Sequence, residues 1–199
     1  MASEEPQPAP GVGPPDSWLQ EQLFSRRIIL LSGYIDMAAA NRAAAQLTLL
    51  DGSSDAPIQL HLSSPDADLA AALALIDTLE MVTAPVHVVV TGQVGGAALG
   101  VLSVADRRGA HAHATFRLVE PRAELSGGTA DEVTEQVAHH NSMLLDLQDR
   151  LASATGRSII EIATEMHRGK LLTAAEALEH GLIDHISRPA GGSARPPSG

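Results

Sequence analysis

The side chains able to do chemistry in this chain are nine histidines, a scatter of serines and a surplus of carboxylates, with no cysteine in 199 residues. Thiolate catalysis, cysteine metal sites and disulfides are therefore excluded. His111 and His113 stand two apart in a segment that reads as a strand, so both would face one side. No third histidine or carboxylate at short spacing completes a metal site there, and a pair of strand-edge histidines is the plainer reading. His139 and His140 are adjacent on a helix and diverge, while His167 and His180 fall near helix C-termini, where an imidazole suits the dipole without any catalytic task. Among hydroxyls, Ser103 lies inside a small, apolar helical stretch, and Ser63 and Ser64 end a strand at a helix entrance, where capping accounts for them. Gly92, Gly95, Gly96 and Gly100 match neither a dinucleotide nor a phosphate-loop spacing. No cofactor and no metal is expected.

The elements that would position these groups follow from hydrophobic period and punctuation. Residues 86–105 organise the chain: a β-branched run gives way at Gly92 to a glycine-rich turn, and small apolar residues resume without charge until Asp106. This reads as buried strand, tight turn and buried helix, the place where α/β folds expose a nucleophile or receive an anion. The residues offered at that point are Gly95 and Gly96, which have no side chain for chemistry.

Upstream, an amphipathic segment over residues 18–24 is expected to dock its large apolar groups, and residues 27–31 form a first strand. Asp36 caps a helix to about Leu50, residues 57–62 form a second strand, and a second helix carries Leu69, Leu73, Ile76 and Leu79 on one face. Strand and helix alternate three times, predicting right-handed crossovers and a largely parallel sheet, an α/β class. Downstream, after Asp106-Arg107-Arg108-Gly109, residues 112–119 read as a half-exposed strand. Thr129 and Glu132 have capping-box spacing and open the longest helix. Its seam of Val133, Val137, Leu144, Leu147, Leu151 and Ala154 is near a heptad, which suits packing on another helix or another subunit. Ser158 with Glu161 and Thr173 with Glu176 are two further capping boxes, and Gly181 closes the last helix before a strand over residues 182–186.

A net charge of −11 and a pI near 5.1 argue against nucleic acid or an anionic membrane surface as partner. Hydrophobic content of 44% with only 2% aromatic residues means the core must be built from Ala, Leu, Ile and Val. The N-terminus has neither the basic region nor the apolar run of a secretory signal, and no uninterrupted stretch of about twenty apolar residues would span a membrane. The expectation is a soluble, cytoplasmic protein: one α/β domain over residues 17–187, flanked by Pro- and Gly-rich disordered segments at 1–16 and 188–199.

Taken in order, the motifs resemble the proteolytic subunit of the Clp protease. Ser25-Arg26-Arg27-Ile28-Ile29-Leu30-Leu31-Ser32-Gly33, Asn41-Arg42, Gln46-Leu47, Pro57-Ile58 and Ser64-Pro65 resemble its first half. Thr91-Gly92-Gln93, Pro121, Thr155-Gly156-Arg157, Leu172-Thr173-Ala174-Ala175-Glu176-Ala177 and Gly181-Leu182-Ile183-Asp184 resemble its second. The resemblance is collinear over roughly residues 23–187. It implies a crotonase-like α/β fold whose long helix forms a handle between two stacked sevenfold rings, and a serine peptidase activity.

Carried over position by position, however, the resemblance implies a site without its chemistry. Gly92-Gln93 fixes the register, so the family's serine falls on Gly96, its histidine on Val119 before Glu120-Pro121, and its aspartate on Gly169. The oxyanion loop Ser-Pro-Gly-Gly becomes Ser64-Pro65-Asp66-Ala67, placing a carboxylate where negative charge would develop. Acyl transfer through serine needs a hydroxyl, a base and backbone donors. Gly96 supplies no hydroxyl and Val119 no base. His111, His113 and Glu120 are the only substitutes on offer. The family's pocket for the Clp ATPase is lined by aromatics along the second strand, where this chain carries Gln59 and His61, so docking of that ATPase is expected to be weak or lost.

The leading expectation is a catalytically inactive subunit with a structural or regulatory role in rings formed with itself or with active paralogues. One alternative is a serine endopeptidase subunit with residual or relocated activity. The other is a crotonase-like binder of an acyl thioester or small ligand.

Overall fold

A computed structural model describes residues 15–123 and 127–187, with side chains from Trp18 onward. The two terminal segments expected to be disordered lie outside the described residues except at Pro15 and Asp16, which open the first helix. In chain order the elements are α1 (Pro15–Ser25), β1 (Ile28–Ser32), α2 (Met37–Asp51), β2 (Ile58–Ser64), α3 (Leu69–Met81) and β3 (Val86–Gly95). A 3₁₀ turn (Gly96–Leu99) then leads into α4 (Gly100–Ser103), followed by β4 (Arg107–His111) and β5 (Thr115–Leu118). The chain ends in α5 (Ala130–Thr155), α6 (Ile159–Arg168), β6 (Lys170–Thr173), α7 (Ala174–His180) and β7 (His185–Ser187). No described helix is long and apolar enough to cross a membrane.

Strands β1, β2, β3, β4 and β7 lie side by side in that order, all parallel. Strand β3 serves two neighbours on one side. Its first half pairs with β4 from His87↔Arg107 to Val90↔Ala110, and its end pairs with β5 from Gln93↔Thr115 to Gly95↔Arg117. Strand β6 then adds antiparallel to β5. The reason β3 can run on lies opposite it. The register with β2 breaks between Leu62 and Ser64, and a Cβ at Gly92 would stand 2.6 Å from Ser63 Oγ, so glycine admits the irregular strand there. Gly92 is thus inside β3 and not in a turn, which corrects the sequence reading; the chain turns at Gly96.

Alternation along β1, β2 and β3 sends Ile29, Leu31, Ile58, Leu60, Leu62, Val86, Val88 and Val90 to one face, where α2 and α3 cover them. Each such side chain taken out of water contributes about 1.5–3 kcal/mol. Phe116 is the only aromatic fully buried among the described residues. Trp18 and Leu19, expected to dock, are exposed at 63% and 49%; Phe24 is the member of α1 that packs on the core.

Four caps fall where the spacing predicts, at Asp36 and the three capping boxes, but α3 is capped by Asp68 and not by Ser63 or Ser64, since Ser64 Oγ donates to Asp66 O. Asp36 accepts from Ala39 N at 2.7 Å and Asp68 from Ala71 N at 2.8 Å, while Thr129, Ser158 and Thr173 each form a reciprocal capping box. These are worth about 1 kcal/mol apiece. Residues 107–109, to which the sequence reading gives no element, belong to β4, because Asp106 accepts from Val86 N at 2.7 Å and starts the strand beside β3. One further sequence reading needs correction. His111 ends β4 while His113 lies in the following turn, so they do not share a strand face.

Helix α5 has 26 residues, and every buried one lies between Leu147 and Ala152. Gly100 faces that segment at close range: a Cβ there would meet Leu147 Cδ1 at 2.6 Å and Ile76 Cδ1 at 2.7 Å. The first half of α5, with Val137 38% exposed, projects beyond the domain.

Candidate active site

The positions assigned from sequence to the triad meet at the ends of adjacent strands. Gly95 pairs with Arg117 across β3 and β5, which sets Gly96 beside the last residues of β5. Leu118 pairs with Lys170 across β5 and β6, and continuing that antiparallel register places Val119 opposite Gly169. Gly169 is the left-handed C-cap of α6, with φ +68 and nothing within 4 Å of where its Cβ would be. None of the three carries a functional group.

What fills the site is Asp66. Gly96 has φ +52, and a Cβ built on it would overlap Asp66 Oδ1 and stand 2.9 Å from Asp66 Cγ. The same Oδ1 accepts the backbone N–H of Ala67 at 2.8 Å. The loop is fixed behind the carboxylate as well: Asp66 O accepts from buried Ser64 Oγ at 2.7 Å and from Ile35 N at 3.3 Å. One carboxylate therefore takes both the space in front of Gly96 and a donor of the loop that sequence comparison equates with the oxyanion loop.

Asp66, Ala67 and Val119 line a polar cleft of about 250 Å³ together with Tyr34, Arg117, Glu120 and Arg122. Sequence reasoning singled out Glu120 but missed Tyr34 and the two arginines. The signal for Arg117 was present, since it alternates with Phe116 and Leu118 on β5 and must face outward. Glu120 Oε1 lies 3.4 Å from exposed His167 Nδ1 at the cleft's edge. Among the described residues no serine or threonine lines the cleft, and neither His111 nor His113 does. Ser103, the other candidate hydroxyl, donates to Gly100 O at 2.6 Å inside its own helix. No group of three or more histidine, cysteine or acidic side chains suited to a metal ion exists among the described residues.

A second polar cluster lies behind the site. His180, 4% exposed, sets Nε2 2.6 Å from Glu165 Oε2, and Lys170 pairs with the other oxygen of Glu165. Burial pushes the His180 imidazole below its ordinary pKa. Burial alone would raise the Glu165 carboxyl, but hydrogen bonds from Lys170 and His180 outweigh it and hold that carboxyl below its usual range. Arg108 donates to Asp184 Oδ1 at 2.6 Å and to Ala154 O and Gly181 O at 2.9 Å each, tying β4 to the end of α5 and to the segment before β7.

The mixed sheet with β3 shared between two neighbours, the helices on one face and the long protruding helix define a crotonase-like α/β fold. The comparisons with known proteins agree. The sequence model described as Clp protease matches residues 16–190. The chain is 32% identical over 168 residues to the ATP-dependent Clp protease proteolytic subunit 1 of Corynebacterium glutamicum, covering 83% of this chain and 81% of that one. It is 33% identical over 171 residues to proteolytic subunit 2 of Nocardia farcinica, covering 83% of each. It is also 33% identical over 173 residues to proteolytic subunit 3 of Rhodococcus jostii, covering 84% of each. This chain belongs to the Clp protease proteolytic subunit family.

Proposed function

We propose that this chain is a catalytically silent member of its family, with a structural or regulatory role in a Clp-type ring built from itself or with active paralogues. The observation that carries the reading is the Asp66 carboxylate lying where a side chain at residue 96 would have to go, with Ala67 N–H bound to it. Serine acylation needs a hydroxyl, a base and free oxyanion donors. Here the first position is Gly96, the second Val119, the orienting position Gly169, and an anion stands where an oxyanion would form. Relocated activity has little to draw on, because Glu120 and His167 approach each other with no serine or threonine among the described residues lining the cleft.

The ring role draws on what is retained. The exposed first half of α5 presents Val133 and Val137 on one side of a helix that buries nothing there, an arrangement suited to a handle against another subunit. Residues 17–187 act as the one domain, and the cytoplasm is the compartment proposed. Docking of a Clp ATPase is weakened by Gln59 and His61, which stand on the open face of β2 where the family's aromatics are expected.

Native mass spectrometry of the chain, alone and mixed with active Clp proteolytic subunits, tests the role. Homomeric or mixed rings are expected, and a persistent monomer in both samples overturns it.

A further inference from the structure

The cleft at the end of β3 carries unlike charges on its two sides. Strand β2 flanks that end on one side, with Ser64 opposite Val94, and β5 flanks it on the other, with Arg117 opposite Gly95. From the β2 side come Asp66 and Ala67, with Tyr34 brought beside them by the bridge between Ile35 and Ala67. From the β5 side come Arg117 and Val119, followed by Glu120 and Arg122. Between the two sides run Gly95 and Gly96. A Cβ on Gly95 would stand 3.2 Å from Arg117 Cβ, and one on Gly96 would overlap Asp66 Oδ1, so a cationic and an anionic side chain border the same pair of glycines.

These charges do not neutralise one another. Among the described residues neither Arg117 nor Arg122 has an ion-pair partner, and Asp66 has none either. Asp66 Oδ1 accepts from Ala67 N, while Oδ2 takes no hydrogen bond from a described residue. Glu120 is turned toward His167 at the edge, at 3.4 Å. The cleft thus presents an open carboxylate oxygen on one side and two guanidiniums on the other, within about 250 Å³. Sites for drug-sized ligands run to roughly 300–1,000 Å³, so the space suits a smaller occupant.

We infer that this cleft binds a free aliphatic α-amino acid, with its ammonium on Asp66, its carboxylate on Arg117 and Arg122, and its side chain against half-buried Val119. Charge complementarity selects that class. A simple anion such as phosphate would meet the guanidiniums but also the Asp66 carboxylate, and a simple amine would meet the reverse. A metal ion would need more acidic or imidazole ligands than are gathered here among the described residues. A dipolar ion satisfies both sides at once, and a planar guanidinium matches a carboxylate through two parallel hydrogen bonds. The interior of a polypeptide carries neither of those two charges, so the site distinguishes a free amino acid from an extended chain. The inference rests on the silent reading of the same cleft, because without a nucleophile a bound ligand is held and not acylated onto the protein.

Saturation-transfer NMR titration of the full-length protein with L-leucine tests it, beside N-acetyl-L-leucine, L-leucinamide and the doubly blocked N-acetyl-L-leucinamide. L-Leucine should bind with a dissociation constant of about 1 mM or tighter, and each blocked form at least about tenfold more weakly. Asp66→Asn keeps an acceptor for Ala67 N–H and removes the charge, so L-leucine and N-acetyl-L-leucine should then bind within about twofold of each other. In the Arg117→Gln, Arg122→Gln double variant, altered at two exposed positions, L-leucine and L-leucinamide should likewise converge while the circular dichroism spectrum stays unchanged. No saturation transfer to L-leucine at about 10 mM, or binding of the doubly blocked form as tight as that of L-leucine, would overturn the inference. A fluorophosphonate adduct on the chain would instead refute the silent reading, and since the leucine titration is read without it, the two can fail separately.

Discussion

Asp66 and Gly96 face each other across the end of β3 so closely that the carboxylate of one occupies the side-chain space of the other. Sequence comparison alone presents Gly96 as a lost nucleophile and Asp66 as a charge of the wrong sign. The structure joins them into one feature, a glycine that makes room for a carboxylate which in turn closes a backbone donor.

That pairing predicts coupling. Gly96→Ser alone forces a left-handed β-carbon against Asp66 and should destabilise the fold by about 1–3 kcal/mol. Asp66→Gly should recover part of that cost only when serine is present, giving an interaction energy of about 1 kcal/mol or more in a denaturant double-mutant cycle. Additive effects would mean that Asp66 moves aside freely. Peptidase activity should stay at background in both variants, since Val119 and Gly169 supply neither base nor orienting carboxylate.

Acid should weaken the fold in two stages. The imidazole of His180 is depressed in the folded state, so the unfolded chain takes up a proton first. Its contribution is intact above the ordinary histidine range and is lost as pH falls through about 6.5 toward the folded value. Glu165 and Asp184, both held below the usual carboxylate range despite burial, follow below about pH 4.5. Urea midpoints measured from pH 8 to 5 should therefore decline in the wild type and flatten in His180→Gln. An unchanged slope in the variant would place the titration elsewhere.

The two halves of α5 should answer differently to substitution. Leu147→Ala removes a fully buried contact beneath Gly100 and should cost about 2–5 kcal/mol. Val137→Asp touches no core and should change monomer stability by less than about 0.5 kcal/mol. Sedimentation velocity should nonetheless show the second variant shifted to smaller species.

Arg108 serves three acceptors on different elements, a geometry an ammonium cannot reproduce. Its pair with Asp184 is half exposed on the acid's side and is worth little by itself. The cost of losing it lies with the Ala154 and Gly181 carbonyls, about 1–3 kcal/mol. Arg108→Lys should thus lose nearly as much in thermal denaturation as Arg108→Gln, and full rescue by lysine would show that charge alone matters.

Much of this fold is legible in the sequence because local rules agree with one another. Asp36 and the three capping boxes mark helix starts by hydrogen-bond chemistry that needs no tertiary information, and the alternation of strand and helix before residue 105 dictates a parallel sheet. The misreadings share a physical cause. Gly92 reads as a turn, yet it lies in a strand because Ser63 crosses it, and residues 107–109 become a strand only because β3 lies alongside. Lys170–Thr173 escapes the sequence reading as a strand since its partner, β5, is more than fifty residues earlier. At the site, identities are readable but volumes are not: nothing in the sequence says that Asp66 fills the space before Gly96.

The most direct test of catalytic silence is the intact mass of the full-length protein after exposure to a fluorophosphonate, with an active Clp proteolytic subunit treated in parallel. The mass of this chain should be unchanged while the active subunit gains one adduct. A stoichiometric adduct on this chain would contradict the account and place a working nucleophile where the structure offers Gly96.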